Sequence, residues 1–402
     1  MPEAVIVATG RSAIGRAQKG SLVEFRPDDL TAHIVAETLA TIDLPPALVE
    51  DVIVGCGLPG GEQGFNIARV VATLLGWTNT PATTVNRFCA SSLQAIRMAA
   101  HAVKAQEGDC FVAAGVETVS RYAHGNADAW RPTTDNPKFD TAKARTATIK
   151  AAGGWTPQTE GLPDVYIDMG DTAENVADLC GVSRESMDEF AVHSHERALA
   201  ARDRGFWADE IIPVTTAAGV VVDTDDGPRP GTTMDKLAAL PPRFREGGRV
   251  TAGNACPLND GAAAVVIMSA EKAAALGITP LARIVASAVS ALDPEIMGLG
   301  PVEACQRAMK AAGMRASDID LLEINEAFAA QVLPSAEQLG IGWDRLNVNG
   351  GALALGHPFG MTGARIMTTL VHSLRDSDKT IGMESMCVGG GQGMAMIVER
   401  CS

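Results

Sequence analysis

The sequence predicts an α/β protein in which two βαβαβ halves enclose a dissimilar middle. Three observations predict it. Short apolar runs alternate with helix-length segments toward both ends of the 402 residues. From Arg121 to about Gly170 the chain turns rich in Asn, Asp, Pro, Thr and Lys and loses periodicity. An apolar fraction of 46% with 20% charged residues is that of a packed globular chain, which excludes disorder.

Taken in order, Ala4–Ala8 suits a buried strand, Leu30–Leu39 a helix and Asp51–Val54 a second strand. Ile67–Leu75 reads as a helix, Thr83–Val85 as a strand, Ala90–Val103 as an apolar helix and Cys110–Ala114 as a strand. This alternation reads as a parallel sheet with helices on its faces. After the irregular stretch, helices return at Ala173–Leu179 and Met187–Arg204, and Asp223–Gly231 is a turn-rich acidic loop. Strands at Ala262–Met268 and Ala282–Ala288, a helix at Val302–Ala312 and a strand at Leu321–Ile324 resume the pattern. A helix from Phe328, a strand at Leu346–Asn349, a helix at Thr362–Leu374 and strands at Thr380–Glu384 and Met394–Glu399 complete it.

Composition removes several functions. Lys and Arg number 33 against 48 Asp and Glu, a net charge of −15. That balance argues against nucleic acid and against an anionic membrane surface, both of which need clustered cations. No apolar run reaches the ~18 residues of a membrane span. Met1–Ala8 has no basic n-region, and Arg400-Cys401-Ser402 is neither a peroxisomal tripeptide nor a prenylation box, so the chain is expected in the cytoplasm.

The eight cysteines are widely spaced with no C-x-x-C pair, which predicts neither a disulfide framework nor zinc. His193-Ser194-His195 has no ligand geometry, because side chains two apart on a helix do not face each other. Gly55-Cys56-Gly57-Leu58-Pro59-Gly60 is a literal G-x-G-x-x-G. It lacks the helix and the acidic residue of a dinucleotide site, so it reads as a turn where chains approach closely. Gly389–Gly393 fails the same test because a strand follows it.

Four segments carry chemistry. In Val85–Ile96 a strand ends in a sharp turn and a helix begins at or just after Cys89. Unpaired N–H groups and the helix dipole there favour a thiolate and can hold an oxyanion. His357 sits in the glycine-rich Asn349–Gly360 turn and is the residue type that activates a cysteine. Cys387 leads into the glycines of 389–393, whose missing side chains admit a ligand. Glu323–Phe328 places Asn325 at a strand's C-terminal end, where ligands of open α/β sheets gather.

Together these segments resemble the signatures of thiolases, the acyl-CoA acetyltransferases: Asn86–Ile96, Asn325–Phe328, Gly350–Gly360 and Cys387–Gly393. Thr251–Ala255 with Asn259–Ala263, Gly115–Arg121 and Met169–Ala177 extend the resemblance over essentially the whole chain. It implies the thiolase fold, a layered αβαβα arrangement with an inserted loop domain. The expected division is a core of 1–120 and 258–280, a coenzyme A-binding loop domain of 121–257, and a second core of 281–402.

The resemblance also implies roles. Cys89 becomes acylated, His357 activates it, and Cys387 moves a proton at the α-carbon of the second acyl group. Asn325 with His357 forms one oxyanion hole, and the N–H groups of Cys89 and Gly389 form the other. Met169, Ala255 and Cys256 are expected near pantetheine and acyl group, and Arg229 near the nucleotide. Coenzyme A thioesters are substrates, with no permanent cofactor or metal. A homodimer or homotetramer is expected. Acetoacetyl-CoA is the default substrate, with longer or bulkier 3-ketoacyl-CoA open. Ser92, Asp168 and Cys256-Pro257 depart from the family pattern, and Ala123–Asp164 is long. A ketoacyl synthase would carry His or Asn at Cys387, and a non-catalytic acyl-CoA-binding subunit would not need the intact set.

Overall fold

The computed structural model describes residues 2–124, 135–157 and 160–401. The first part runs β1 (Ala4–Arg11), β2 (Gly15–Arg16), α1 (Pro27–Ala40), β3 (Asp51–Cys56), α2 (Ile67–Leu74), β4 (Ala82–Val85), α3 (Ser91–Ala105) and β5 (Cys110–Thr118). The middle holds α4 (Asp140–Ala152), α5 (Met169–Cys180), α6 (Arg184–Asp203), the ribbon β6 (Val214–Thr215) and β7 (Val221–Val222), and α7 (Met234–Ala238). The last part is β8 (Asn259–Ser269), α8 (Ala270–Leu276), β9 (Ala282–Ala291), α9 (Gly300–Ala312), β10 (Leu321–Ile324), α10 (Ala329–Leu339), α11 (Ala352–Leu355), α12 (Thr362–Asp376), β11 (Ile381–Val388) and β12 (Gln392–Arg400).

The strands form two half-sheets. One has the order β4-β3-β5-β8-β1, with β2 on β8, and the other β9-β12-β11-β10. They meet where Val5 and Ile6 of β1 pair with Arg283 and Ala282 of β9. Helices α1 and α2 pack on the first half, α9 packs on the second with α10 against it, and α3 and α12 lie between. Every residue of α12 from Thr362 to Leu374 is buried. A helix buried all round is one with a layer on each side. The layers are therefore αβαβα, as the resemblance implied.

The sheet is mixed, not parallel. β3 runs parallel to β4 and β5, and β10 to β11, but β8, β1, β9 and β12 pair antiparallel. The connections decide this. β11 and β12 are joined by a short turn, which only an antiparallel pair allows. β5 and β8 are the arms of a very long hairpin: Thr118 lies opposite Asp260, so the middle of the chain leaves and re-enters at one end of the sheet.

Two other elements differ from expectation. Leu346–Asn349 makes only one bridge, Leu346 to Leu322, because Asn347 takes a left-handed φ of 45°. Its side chain replaces the ladder, accepting from the Ile324 N–H at 2.9 Å and donating to the Ile324 carbonyl at 2.9 Å. The irregular stretch also contains α4, whose Ala-, Lys- and Arg-rich sequence favours helix but carries no apolar stripe; only Ala142 is buried.

The central helices cross at glycine. A Cβ on Gly363 of α12 would lie 2.4 Å from the Leu93 backbone nitrogen of α3. Beside this contact Ser92 Oγ accepts from the Ala364 N–H at 2.9 Å. Serine is tolerated at position 92 because the residue is already helical. This crossing brings the segments before both helices, and hence Cys89 and His357, to one place.

Candidate active site

Cys89 lies in a 3-10 turn, Phe88–Ala90, between β4 and α3. The turn is tight: Phe88 has φ +42°, a conformation costly for an aromatic residue. Ser91 Oγ staples it, accepting from the Arg87 N–H at 2.9 Å and donating to the Phe88 carbonyl at 2.6 Å. The backbone N–H groups of Gly389 and Cys89 itself face the Cys89 sulfur and favour its thiolate, but burial outweighs them and pushes the thiol up to about 12. This corrects the expectation of a thiolate: the resting group is a neutral thiol.

His357 is neutral too. Burial, with the charge of Arg365 second, pushes its imidazole down to about 3. Its orientation follows from proton counting. Thr362 Oγ1 donates its one proton to the Pro358 carbonyl at 2.7 Å, so it accepts from His357 Nδ1 at 2.6 Å. Nε2 therefore keeps its lone pair, 3.2 Å from Asn325 Nδ2. The His357 N–H donates to Asn259 Oδ1 at 3.0 Å. Gly356 before it has φ 115°, and a Cβ there would lie 2.6 Å from the Asn259 side chain.

Asn325 follows β10. Its N–H donates to the Ser385 carbonyl at 2.9 Å, and its carbonyl accepts from Gln331 Nε2 at 2.7 Å. Cys387 is fully buried on β11, opposite Gly393 across the hairpin. Burial, then charge on Cys89 and Cys256, raises its thiol well above the usual range, so the three sulfurs share one field. Gly390 and Gly391 of the hairpin turn have φ of 75° and 79°. A clamp unread in the sequence joins the two cysteine turns: Arg87 Nη1 donates to Gln392 Oε1 at 2.8 Å, and Gln392 Nε2 to the Gly389 carbonyl at 3.3 Å.

Two buried carboxylates support the loops. Glu326 accepts from Ser194 Oγ at 2.6 Å, Asn347 Nδ2 at 2.8 Å and the Leu353 N–H at 3.0 Å, pinning the chain that leads to His357. Glu117 accepts from the N–H groups of Gly57 at 2.8 Å and Gly360 at 2.9 Å. The glycine run that imitates a dinucleotide fingerprint thus wraps a protein carboxylate. A Cβ on Gly55 would lie 2.3 Å from the backbone of Ser91 and Ser92, the close approach its composition predicted.

These groups border a cavity of about 720 Å³. Cys89, His357, Met169, Arg229, Ala255 and Cys256 line it, whereas Asn325, Cys387 and Gly389 lie outside that lining. Cys256 is placed by its N–H donating to the Ala327 carbonyl at 3.0 Å, beside the Asn325–Phe328 box. Asp168 lines the cavity as well, next to Met169.

Sequence reasoning missed Arg16, Arg243 and Phe244 in the lining. No motif marks them, and the first lies far from the loop domain in sequence. The Arg16, Arg229 and Arg243 guanidiniums have no acidic partner among the described residues. The two histidines of 193–195 are otherwise engaged. His195 Nδ1 accepts from the Arg229 N–H at 3.3 Å, and the His193 ring lies against Trp343 at 5.4 Å.

Fold and site define a layered α/β protein whose two halves bring a cysteine and a histidine to one cavity. The family models "Thiolase, N-terminal domain" and "Thiolase, C-terminal domain" match residues 4–271 and 278–400. The chain is 43% identical to a 3-ketoacyl-CoA thiolase of Bacillus subtilis over all of both chains. It is 42% identical, again over all of both, to an acetyl-CoA acetyltransferase of Cupriavidus necator. The crystal structure of human mitochondrial 3-ketoacyl-CoA thiolase in complex with CoA superposes with a TM-score of 0.87 at 36% identity, covering 100% of this chain and 98% of that one. The chain belongs to the thiolase family, and it is an acyltransferase.

Proposed function

We propose that the protein cleaves 3-ketoacyl-CoA with coenzyme A, or runs the reverse condensation, through an acyl group on Cys89. The observation that carries this reading is a neutral thiol facing two backbone N–H groups, with a neutral histidine on the same cavity wall. Cys89 Sγ attacks the keto carbonyl and loses its proton to His357 Nε2, which keeps a lone pair for it. The N–H groups of Cys89 and Gly389 hold the oxyanion that forms. The C–C bond breaks and the electron pair passes to the thioester enolate, stabilised by Asn325 and His357. Cys387 protonates its α-carbon, releasing acetyl-CoA and leaving the shortened acyl group on Cys89. Coenzyme A then enters, gives its thiol proton to the Cys387 thiolate and takes the acyl group from Cys89, which recovers its proton from His357 as the shortened acyl-CoA leaves.

The loop domain of 121–257 is proposed to bind coenzyme A, with Arg229, Arg16 and Arg243 meeting its phosphates. Three guanidiniums with no acidic partner among the described residues supply local positive field on one cavity in a chain of net charge −15. The protein is proposed to act in the cytoplasm as a homodimer or a homotetramer. β4 ends the sheet with one edge unpaired among the described residues, and its four residues are only half covered. A second copy along that edge would pair it.

The test is steady-state thiolysis of acetoacetyl-CoA and longer 3-ketoacyl-CoA, with mass analysis of Cys89. Parallel double-reciprocal lines and an acyl adduct on Cys89 are expected. Intersecting lines without an adduct would refute the acyl-enzyme route.

A further inference from the structure

Glu295 lies outside the proposed chemistry, in the 3-10 turn Pro294–Leu299 between β9 and α9, and it is fully buried. Its carboxylate accepts from Trp155 Nε1 at 2.7 Å and from the Asp164 N–H at 2.9 Å, and it pairs with Arg145. Its carbonyl accepts from Asn175 Nδ2 at 3.0 Å, and its N–H donates to Asp293 Oδ1 at 2.9 Å. Three of these donors, at 145, 155 and 164, belong to the irregular first part of the expected loop domain, and no individual role is expected of any of the three.

What this carboxylate holds is the apolar wall of the cavity. Met297, two residues beyond Glu295, lines the cavity, as does Met169, which opens α5. Val165 follows the anchored Asp164. One of its methyl groups lies 3.9 Å from where a Cβ on Gly390 would sit, and the Phe88 ring lies at the same distance. Val165, Met169 and Met297 thus take their positions from elements tied to one acid. A buried carboxylate with several donors resists piecemeal loosening, because losing one partner leaves the others unsatisfied. A wall fixed in this way limits how much hydrocarbon fits.

Resting on the thiolase reading above, we propose that Glu295 is a positioning residue that sets acyl-chain length. It does so by anchoring Arg145, Trp155 and Asp164, and with Asp164 the adjoining Val165 near Gly390. Trp155→Phe removes the N–H donor and keeps an aromatic, though smaller, side chain. Glu295→Gln keeps the shape and removes the ion pair with Arg145. Both are compared with the unmodified chain in thiolysis of straight-chain 3-ketoacyl-CoA from four to twelve carbons.

The expected result is a rise of about tenfold in the ratio of kcat/KM for long over short chains, carried by KM, in both variants. Acetylation of Cys89 by acetyl-CoA should stay within about twofold, which a general loss of structure would not permit. A ratio unchanged in Trp155→Phe, or an equal loss at every chain length, overturns the proposal; that variant decides even where Glu295→Gln fails to fold. Thiolysis by the unmodified chain with an unmoved ratio defeats this inference alone. Absence of thiolysis in the unmodified chain defeats the thiolase reading itself.

Discussion

The two cysteine turns make an instructive pair. Cys89 sits on a strained strand-to-helix turn and is partly exposed on the cavity wall. Cys387 sits at the end of a strand in a hairpin and is fully buried. Burial raises both thiols, yet only Cys89 has two backbone N–H groups turned toward its sulfur. A thiol on the wall with donors around it can meet a carbonyl and hold the charge that forms. A thiol enclosed among apolar neighbours is suited to exchanging a proton. The division of labour proposed for the two thiols rests on this difference in their surroundings.

The largest expected effect comes from removing that asymmetry at its source. Cys89→Ala should lower thiolysis by four orders of magnitude or more, on the order of what losing a covalent nucleophile costs. Mass analysis should find no acyl adduct. Cys387→Ala should slow turnover by about a hundredfold to ten-thousandfold, the usual worth of a placed proton donor. Acetyl-CoA should still acylate its Cys89. An unacylated Cys89 in that variant would break the division of labour. Asn325→Ala should cost about a hundredfold in kcat, because one oxyanion donor is lost, with KM for coenzyme A little changed.

The pH dependence sharpens the comparison further. The His357 imidazole is pushed down to about 3, so it stays neutral, and able to accept a proton, as pH falls through about 6.5. The Cys89 thiol is pushed up to about 12, so no thiolate titrates near neutrality. Single-turnover acylation should therefore be flat between about pH 5.5 and 8.5, and a limb near 6.5 would mean an ordinary histidine. The smallest effect is structural. Ser92→Ala leaves the buried Ala364 N–H without its acceptor and should cost about 1–3 kcal/mol in a denaturant titration.

Legibility in the sequence followed locality. Cys89 and His357 could be singled out because their chemistry is written in contiguous runs around turns, and Met169 through the family resemblance. The hairpin character of β5 and β8 could not, since Thr118 and Asp260 are paired across the whole middle of the chain. Arg16 and Arg243 reach the cavity through tertiary contacts alone. Asn347 looked like part of a strand because a side chain that imitates a ladder leaves the same apolar flanks. The thiolate expected at Cys89 failed for a related reason. A helix N-terminus can be recognised from a dozen residues, but the burial that outweighs it is contributed by other segments of the chain.

The position of β1 has a consequence for synthesis. Its partners are β8 and β9, with Ala4 opposite Ser269, and all eight of its residues end up buried. β1 leaves the ribosome before both of its partners and therefore waits for strands about 250 to 280 residues further on. At about 5–20 residues per second that delay is on the order of ten to fifty seconds. Throughout it an apolar strand has neither edge occupied, the state most open to association with other nascent chains.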